Sequence, residues 1–308
     1  MNTAMGAIGP VGLWAAALDL NPQEQVADAA AEVEDLGFGA LWISDGITRD
    51  PLHEAAALLR ATRSLVVGTG VAIIWGRHPR MLDTAVRSVV ERHPDRFVLG
   101  LGLGTSHAFL VEDVLGLRYE RPLAAMDSFL DRLDAPDPLL GALGLGSAAH
   151  DRQPRLLAAL GPKALAQARD RADGTITYLG TPEHTAQARA VLGPDRALVV
   201  EQAVVVGSGS AEAMGRAAAH VAAYLGARPY RESWRRLGFT DADFAGGGSA
   251  ALVEALVALD EERAAARIEA HLAAGADHVC LQALPARPGG IPLDQWRSLS
   301  ALVPARSR

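Results

Sequence analysis

The sequence predicts a (β/α)8 TIM barrel with insertions, and three observations predict it. Eight short apolar runs alternate with amphipathic helical stretches along 308 residues. The runs are continuously apolar, as expected of strands covered by helices outside and filled with side chains inside. The length matches the usual ~250 residues of such a barrel plus insertions. An open doubly wound sheet would carry a phosphate-binding glycine fingerprint after its first strand, and "AALDLNPQ" at that place has none. Residues 1–308 read as one barrel domain, with insertions at about 107–153 and 226–259.

The elements follow in order. "VGLWAA" (11–16) is the first strand, and Asn21-Pro22 opens a helix with Glu24 at capping-box spacing from Asn21. Val26, Ala29, Ala30, Val33 and Leu36 share one face of that helix, and Gly37 stops it. "GALWIS" (39–44) is the second strand. "SLVVGTGVAIIW" (64–75) is the third, followed by a helix that Pro79 starts. "RFVLGLG" (96–102), "PRLLAAL" (154–160), "DGTITYL" (173–179), "ALVVEQAVVV" (197–206) and "DHVCLQAL" (277–284) complete the set. Helices begin at Gly161-Pro162, at Thr181-Pro182-Glu183, near Ala211 and near 260, and a last one carries Leu293, Trp296 and Leu299.

Composition narrows the function classes. The net charge of −7 is spread along the chain, without the basic footprint of a nucleic-acid binder. One cysteine, Cys280, excludes an internal disulfide framework and a cysteine-based zinc cluster, and a reducing, cytoplasmic home is the simplest reading. No run reaches the roughly 20 apolar residues of a spanning helix, so no membrane partner is expected. HExxH and GxSxG are absent, and no cluster suggests a metal site.

In a barrel of this kind chemistry gathers at the C-terminal ends of the strands. Those ends offer Ser44-Asp45, the stretch Trp75 to His78 including Arg77, and Gly102 to His107 with Gly104, Thr105 and Ser106. Ala159, Leu160, Gly161, Pro162 and Lys163 follow the fifth strand, where a helix start and a lysine suit a phosphate. Trp14, Tyr178 and Gln282 stand near the ends of three further strands. The glycines at 100, 102 and 104 do not fit the dinucleotide spacing. Two readings of them stand: they admit a flat ligand, or they relieve crowding inside the barrel. Glu201 and Gln282, polar groups in apolar strands, require partners. His184, His220, His271 and His278 read as structural.

Together "LGFGALWISD", "VVGTGVAIIWGRHP", "ERHPDRFVLGLGLGTSH", "LAALGPKALAQARDRADGTITYLGTPEHTAQAR" and "HLAAGADHVCLQAL" resemble the bacterial luciferase-like superfamily. The resemblance runs from about Gly12 to Leu284 and is strongest to the branch of oxidoreductases that use the deazaflavin coenzyme F420. It implies a TIM barrel, commonly dimeric, with the cofactor ring in the mouth against a bulge in the third strand, here Gly70-Val71. The peptide at that bulge is often a non-proline cis bond. The phosphate tail is implied at Ala159, Leu160, Gly161 and Pro162. The residue two after the fourth-strand threonine, here His107, is implied beside the reacting centre.

One departure stands out. Many deazaflavin members follow the strand-two aspartate with a histidine that transfers a proton, and this chain has Gly46 there. Four outcomes stay open: His107 takes over, Asp45 takes over, the reaction needs no such group, or activity is reduced. The implied activity is hydride transfer between F420 and a small organic substrate, by a cytoplasmic homodimer. An FMN-dependent monooxygenase using O2 and a partner reductase is the alternative, and a non-catalytic cofactor-binding protein is a second. Lys163, Arg77, Arg152 and Arg155 are the cations available to an F420 tail. The insertions are expected to shape the substrate pocket.

Overall fold

The computed structural model describes residues 3–16, 18–45, 48–104, 108–136, 142, 154–207, 211–287 and 289–304. Its strands are β1 (Val11–Ala15), β2 (Ala40–Ile43), β3 (Val66–Thr69), β4 (Ala72–Ile73), β5 (Phe97–Gly102), β6 (Arg155–Ala158), β7 (Gly174–Thr177), β8 (Ala197–Val204), β9 (Val257–Ala258) and β10 (His278–Ala283). Every pairing is parallel. The order β1-β2-β3-β5-β6-β7-β8-β10 closes where β10 pairs with β1, Val279 beside Val11. The fold is a closed (β/α)8 TIM barrel. β9 continues beside β8, where Ala203 meets Val257.

Side-chain alternation sorts the core into two layers. Leu41, Leu99, Leu157 and Leu198 face outward onto the helices. Trp42, Val66, Val98, Leu156, Ile176, Val199 and Cys280 face inward and fill the barrel. The bottom is plugged by polar pairing: Trp42 Nε1 donates to His278 Nε2 at 3.1 Å, and His278 Nδ1 lies 2.6 Å from the Gly9 carbonyl. Burial lowers the His278 pKa to about 4, so the ring stays neutral.

The third strand is broken. β3 and β4 are separated by the peptide Gly70–Val71, which is cis. β5 is shaped to receive this break. Thr69 Oγ1 accepts from Gly100 N–H and donates to Gly100 O, each at 2.8 Å. A Cβ on Gly100 would lie 2.0 Å from the Thr69 carbonyl, and one on Gly102 would lie 2.0 Å from Val71 Cγ2. Of the two readings of these glycines, crowding relief holds for Gly100 and Gly102: they admit a neighbouring strand.

Two local expectations need correction. The capping box at Asn21 and Glu24 is not formed. Pro22 caps the helix Gln23–Asp35 without a side-chain bond, and Asn21 Nδ2 instead donates to the Gly289 carbonyl at 2.8 Å. The pattern also missed the helix Pro51–Ala61, whose Asp50 cap accepts from Leu52 and His53 N–H. Its signal, an aspartate directly before a proline, was present in the sequence.

The described part of the first insertion contains a π-helical turn, Leu110–Val114, and the helix Pro122–Asp134. Buried Arg155 ties that helix to β6, meeting both Asp134 oxygens at 2.6 and 2.7 Å and the Arg171 carbonyl. The second insertion forms the helices Arg228–Arg236 and Ala250–Leu256 before β9. Trp234 anchors it on the barrel, fully buried, with Nε1 donating to Leu179 O at 3.1 Å.

The close approach of β5 to the broken strand is directly testable. Gly100→Ala is expected to lose about 3 kcal/mol of stability through overpacking, read as a lower denaturant midpoint. Gly215→Ala, on an exposed helix face with nothing within 4 Å, is the control. It is expected to be neutral or to gain up to about 1 kcal/mol from helix propensity.

Candidate functional site

A cavity of about 640 Å³ opens at the C-terminal ends of the barrel strands, the rim where such barrels hold their chemistry. Trp14, Ser44, Asp45, Gly70, Val71 and Ile73 form one side. Ala158 through Ala164 form a second. Tyr178, Tyr224, Pro229 and Tyr230 form a third, and Phe109, Leu110, Pro122 and Leu123 come from the first insertion.

The first side is held by an ion-pair cluster. Asp45 sits at the end of β2 with its side chain 7% exposed. Arg77 engages both Asp45 oxygens, at 2.5 and 3.2 Å, and also reaches Asp50 at 3.0 Å. Ile73 N–H donates to Asp45 Oδ2 at 2.8 Å. Burial raises the Asp45 pKa above the ordinary aspartate value, against the pull of the Arg77 guanidinium. The cluster clamps β4 to the end of β2. Trp14 covers the break beside it: a Cβ on Gly70 would lie 2.4 Å from the Trp14 ring, whose Nε1 donates to Ser44 Oγ at 3.2 Å.

The second side is a helix start. Gly161 caps the helix Pro162–Arg171 with no side-chain hydrogen bond, and Pro162 occupies its first turn. The first-turn amides therefore present the positive end of the helix, next to Lys163. Arg236, arriving from the second insertion, donates to the Leu160 carbonyl at 3.0 Å. Its Nη2 lies 3.7 Å from where a Gly161 Cβ would be. His184 Nε2 lies 2.9 Å from the same Leu160 carbonyl.

The third side is aromatic. Tyr178 OH donates to Gln282 Oε1 at 2.7 Å, Tyr224 OH donates to Tyr178 OH at 3.0 Å, and His220 Nε2 stands 3.3 Å from Tyr178 OH. The Trp14 ring lies 5.3 Å from the Tyr178 ring. Below them Glu201 projects from β8, fully buried, with Oε2 accepting from Leu179 N–H at 3.0 Å. Its Oε1 has no partner among the described residues. Burial pushes its pKa up to about 8, so the carboxyl is largely protonated at neutral pH.

The sequence-derived residues divide accordingly. Asp45, Gly70, Val71, Gly104, Trp14, Tyr178, Ala159, Leu160, Gly161, Pro162 and Lys163 meet on one cavity. Gly102 does not; its bare backbone faces Val71. Trp75 lies off the wall, with Nε1 on the Leu103 carbonyl at 3.0 Å. Arg77 stands behind Asp45, and His78 caps the helix Pro79–Arg92 through Arg80 N–H. Gln282 acts through Tyr178. Arg155 opens β6 at the end away from the cavity and is spent on Asp134, so it offers no cation to the rim. Thr105, Ser106 and His107 lie outside the described residues, as do Gly46 and Arg152. The structural reading of His184, His271 and His278 agrees with their backbone and side-chain partners, whereas His220 backs the aromatic wall. Sequence reasoning missed Tyr224, Tyr230 and Arg236, which reach the site from the second insertion and the turn just before it. Among the described residues no acidic, histidine or cysteine cluster could hold a metal ion, and no helix is long and apolar enough to cross a membrane.

Part of the chain matches a known family by sequence, and nearly all of it matches solved barrels by fold. Residues 9–135 match the family described as luciferase-like monooxygenase. Over 175 residues the chain is 29% identical to the 5,10-methylenetetrahydromethanopterin reductase of Methanolobus tindarius, covering 53% of this chain and 52% of that one. The chain spans about half the length of the curated relatives it matches. The structure of the coenzyme F420-dependent tetrahydromethanopterin reductase of Methanopyrus kandleri superposes with a TM-score of 0.70 at 16% identity, covering 96% of this chain and 99% of that one. The oxygenating constituent of 3,6-diketocamphane monooxygenase from Pseudomonas putida, in complex with FMN, superposes with a TM-score of 0.62 at 16% identity, covering 96% and 97%. These likenesses establish the shared fold.

Glu201 imposes a pH dependence with a definite sign. Its folded-state pKa lies above the unfolded one, so its stabilising contribution is complete below about 4.5 and is lost as pH rises through about 8. Glu201→Gln keeps an acceptor for Leu179 without the titration. Between about pH 5 and pH 9 the parent is expected to lose on the order of 3 kcal/mol that the variant retains, read as diverging melting temperatures.

Proposed function

We propose that the protein is an oxidoreductase that transfers a hydride between coenzyme F420 and a small organic substrate. One observation carries the reading. A single cavity is bounded at one side by the Trp14–Gly70–Val71 wall and at the other by an open helix start flanked by Lys163 and Arg236. A planar ring with an anionic tail fits those two ends. The F420-dependent reductase of Methanopyrus kandleri, similar in fold, favours this reading, while the FMN-bound monooxygenase shares the fold as well.

When bound, reduced F420 supplies hydride from its C5 to an electron-poor carbon, and the oxidised form accepts one in the reverse direction. The chain's own work is binding, orientation and exclusion of water. Trp14 and Val71 present a flat apolar face to the ring. The amides that begin the helix Pro162–Arg171, with Lys163 and Arg236, hold the phosphate. The Arg77–Asp45–Ile73 cluster keeps the ring wall in place, because both Asp45 oxygens are already engaged. His107 is the proton carrier in this proposal, and Asp45, with both oxygens engaged by Arg77 and Ile73, is left to positioning. The working form is a cytoplasmic homodimer.

FMN is the second reading, since a phosphate ends that cofactor too and the helix start suits both. In that case the chain is a monooxygenase supplied by a partner reductase. A cofactor-binding protein without catalysis is the third.

Titration of the purified protein separates these. Saturable F420 binding with negligible FMN binding is expected, and the reverse preference overturns the F420 reading. Lys163→Ala and Arg236→Ala are each expected to weaken cofactor binding roughly tenfold or more, as loss of a charge-assisted contact to phosphate does. Turnover on a panel of alcohols and carbonyl compounds excludes the non-catalytic reading. A His107→Ala variant with full turnover removes His107 from the mechanism.

A further inference from the structure

The tyrosine side of the cavity has a chemistry of its own. Tyr178 and Tyr224 expose hydroxyl-bearing rings to the space, and Tyr230 packs 4.9 Å from Tyr224, centre to centre. Pro229 adds apolar surface beside Tyr230, and Phe109, Leu110, Pro122 and Leu123 bring apolar surface to the same cavity. The charged groups on the wall lie elsewhere or are engaged. Asp45 is paired with Arg77, Asp19 accepts from Thr48, and Lys163 belongs to the start of the helix Pro162–Arg171.

The hydroxyls are arranged so that one proton can be redirected. Tyr178 has a single hydroxyl proton, and its short bond to Gln282 Oε1 uses it. Tyr178 oxygen therefore receives from Tyr224 OH and from His220 Nε2, when that nitrogen bears the proton. Two donors compete for one oxygen. If Tyr224 turns its proton toward a ligand, His220 keeps the Tyr178 oxygen satisfied. The exchange costs little, because one hydrogen bond replaces another.

The same groups resist charge. Burial lowers the His220 pKa to about 4, so the ring is neutral. Burial pushes the Tyr224 pKa up to about 12 and that of Tyr178 well above its ordinary value, so both remain donors. The wall residues of this arm, Tyr178, Tyr224, Pro229 and Tyr230, themselves carry neither a cation nor a carboxylate.

We propose that Tyr224, backed by Tyr178 and His220, is the polar anchor for a substrate that is otherwise apolar and carries one uncharged oxygen, a carbonyl or a hydroxyl. Tyr224 OH donates to that oxygen, and Tyr230 and Pro229 cover the hydrocarbon. Tyr178 and His220 are positioning residues. The inference deepens the oxidoreductase reading and rests on it for the word substrate. It also provides a donor in a chain that has Gly46 where the resemblance expects a histidine.

The test uses the full-length protein, alone and saturated with F420, titrated by calorimetry at neutral pH with cyclohexanone and with cyclohexanecarboxylate. Cyclohexanone is expected to bind saturably, and the carboxylate at least tenfold more weakly. Tyr224→Phe, which keeps the ring and loses the donor, is expected to weaken cyclohexanone roughly tenfold while narrowing its preference over the carboxylate. His220→Ala is expected to give a smaller loss that Tyr224→Phe abolishes, a coupling that lost packing alone would not produce. Equal binding of the two probes, an unchanged affinity in Tyr224→Phe, or no saturable binding of cyclohexanone overturns the proposal. F420 binding is read separately. Ketone binding without F420 binding leaves the anchor standing and removes the cofactor reading, and the opposite result does the reverse.

Discussion

The constraint on which the site depends is the close seating of a broken strand against a bare one. β3 cannot continue straight into β4, and the displaced backbone at Thr69 and Val71 must go somewhere. It goes into the space that side chains at 100 and 102 would otherwise fill. Thr69 fastens the junction by both accepting from and donating to Gly100. Once the break is fixed, Asp45 can reach Ile73 N–H, Arg77 can reach Asp45, and Trp14 can lie across Gly70. The flat wall of the cavity is the sum of these contacts.

The rest of the cavity keeps unlike chemistries apart. Positive potential is concentrated at the helix start with Lys163 and Arg236. The carboxylate on the opposite side is neutralised by a forked pair. Between them lie hydroxyls and aromatic rings whose surroundings favour their neutral forms. Glu201 belongs to the same pattern, since a carboxyl sealed in the barrel is held toward its acid form and adds little charge beneath the rings at neutral pH.

The barrel was legible in the sequence because its signals are local: apolar runs of strand length, proline at helix starts and glycine at helix ends. Much of the cavity followed from them, since strand ends converge in a barrel whatever the residues do. What could not be read was direction. Gly100 and Gly102 look alike whether they face a ligand or a neighbouring strand, and only the pleat decides. Arg77 and His78 sit at a strand end yet turn to Asp45 and to a helix cap. Tyr224, Tyr230 and Arg236 lie some fifty residues or more from the motifs they join, and no spacing announces a contact made by a packed insertion. The buried anchor of that insertion, Trp234, shares a helix face with Tyr230, but that spacing does not say which surface the face will meet.

The Leu160 carbonyl is shared: His184 meets it from the helix Pro182–Leu192, and Arg236 meets it from the inserted helix. Three separate stretches of chain thus converge on one peptide unit at the rim. Grafting a foreign loop in place of residues 226–259, in order to change what the aromatic arm accepts, would also strip away this guanidinium. Evolution or engineering that alters the guest at one end therefore edits the grip at the other, and the two traits are inherited as a single block.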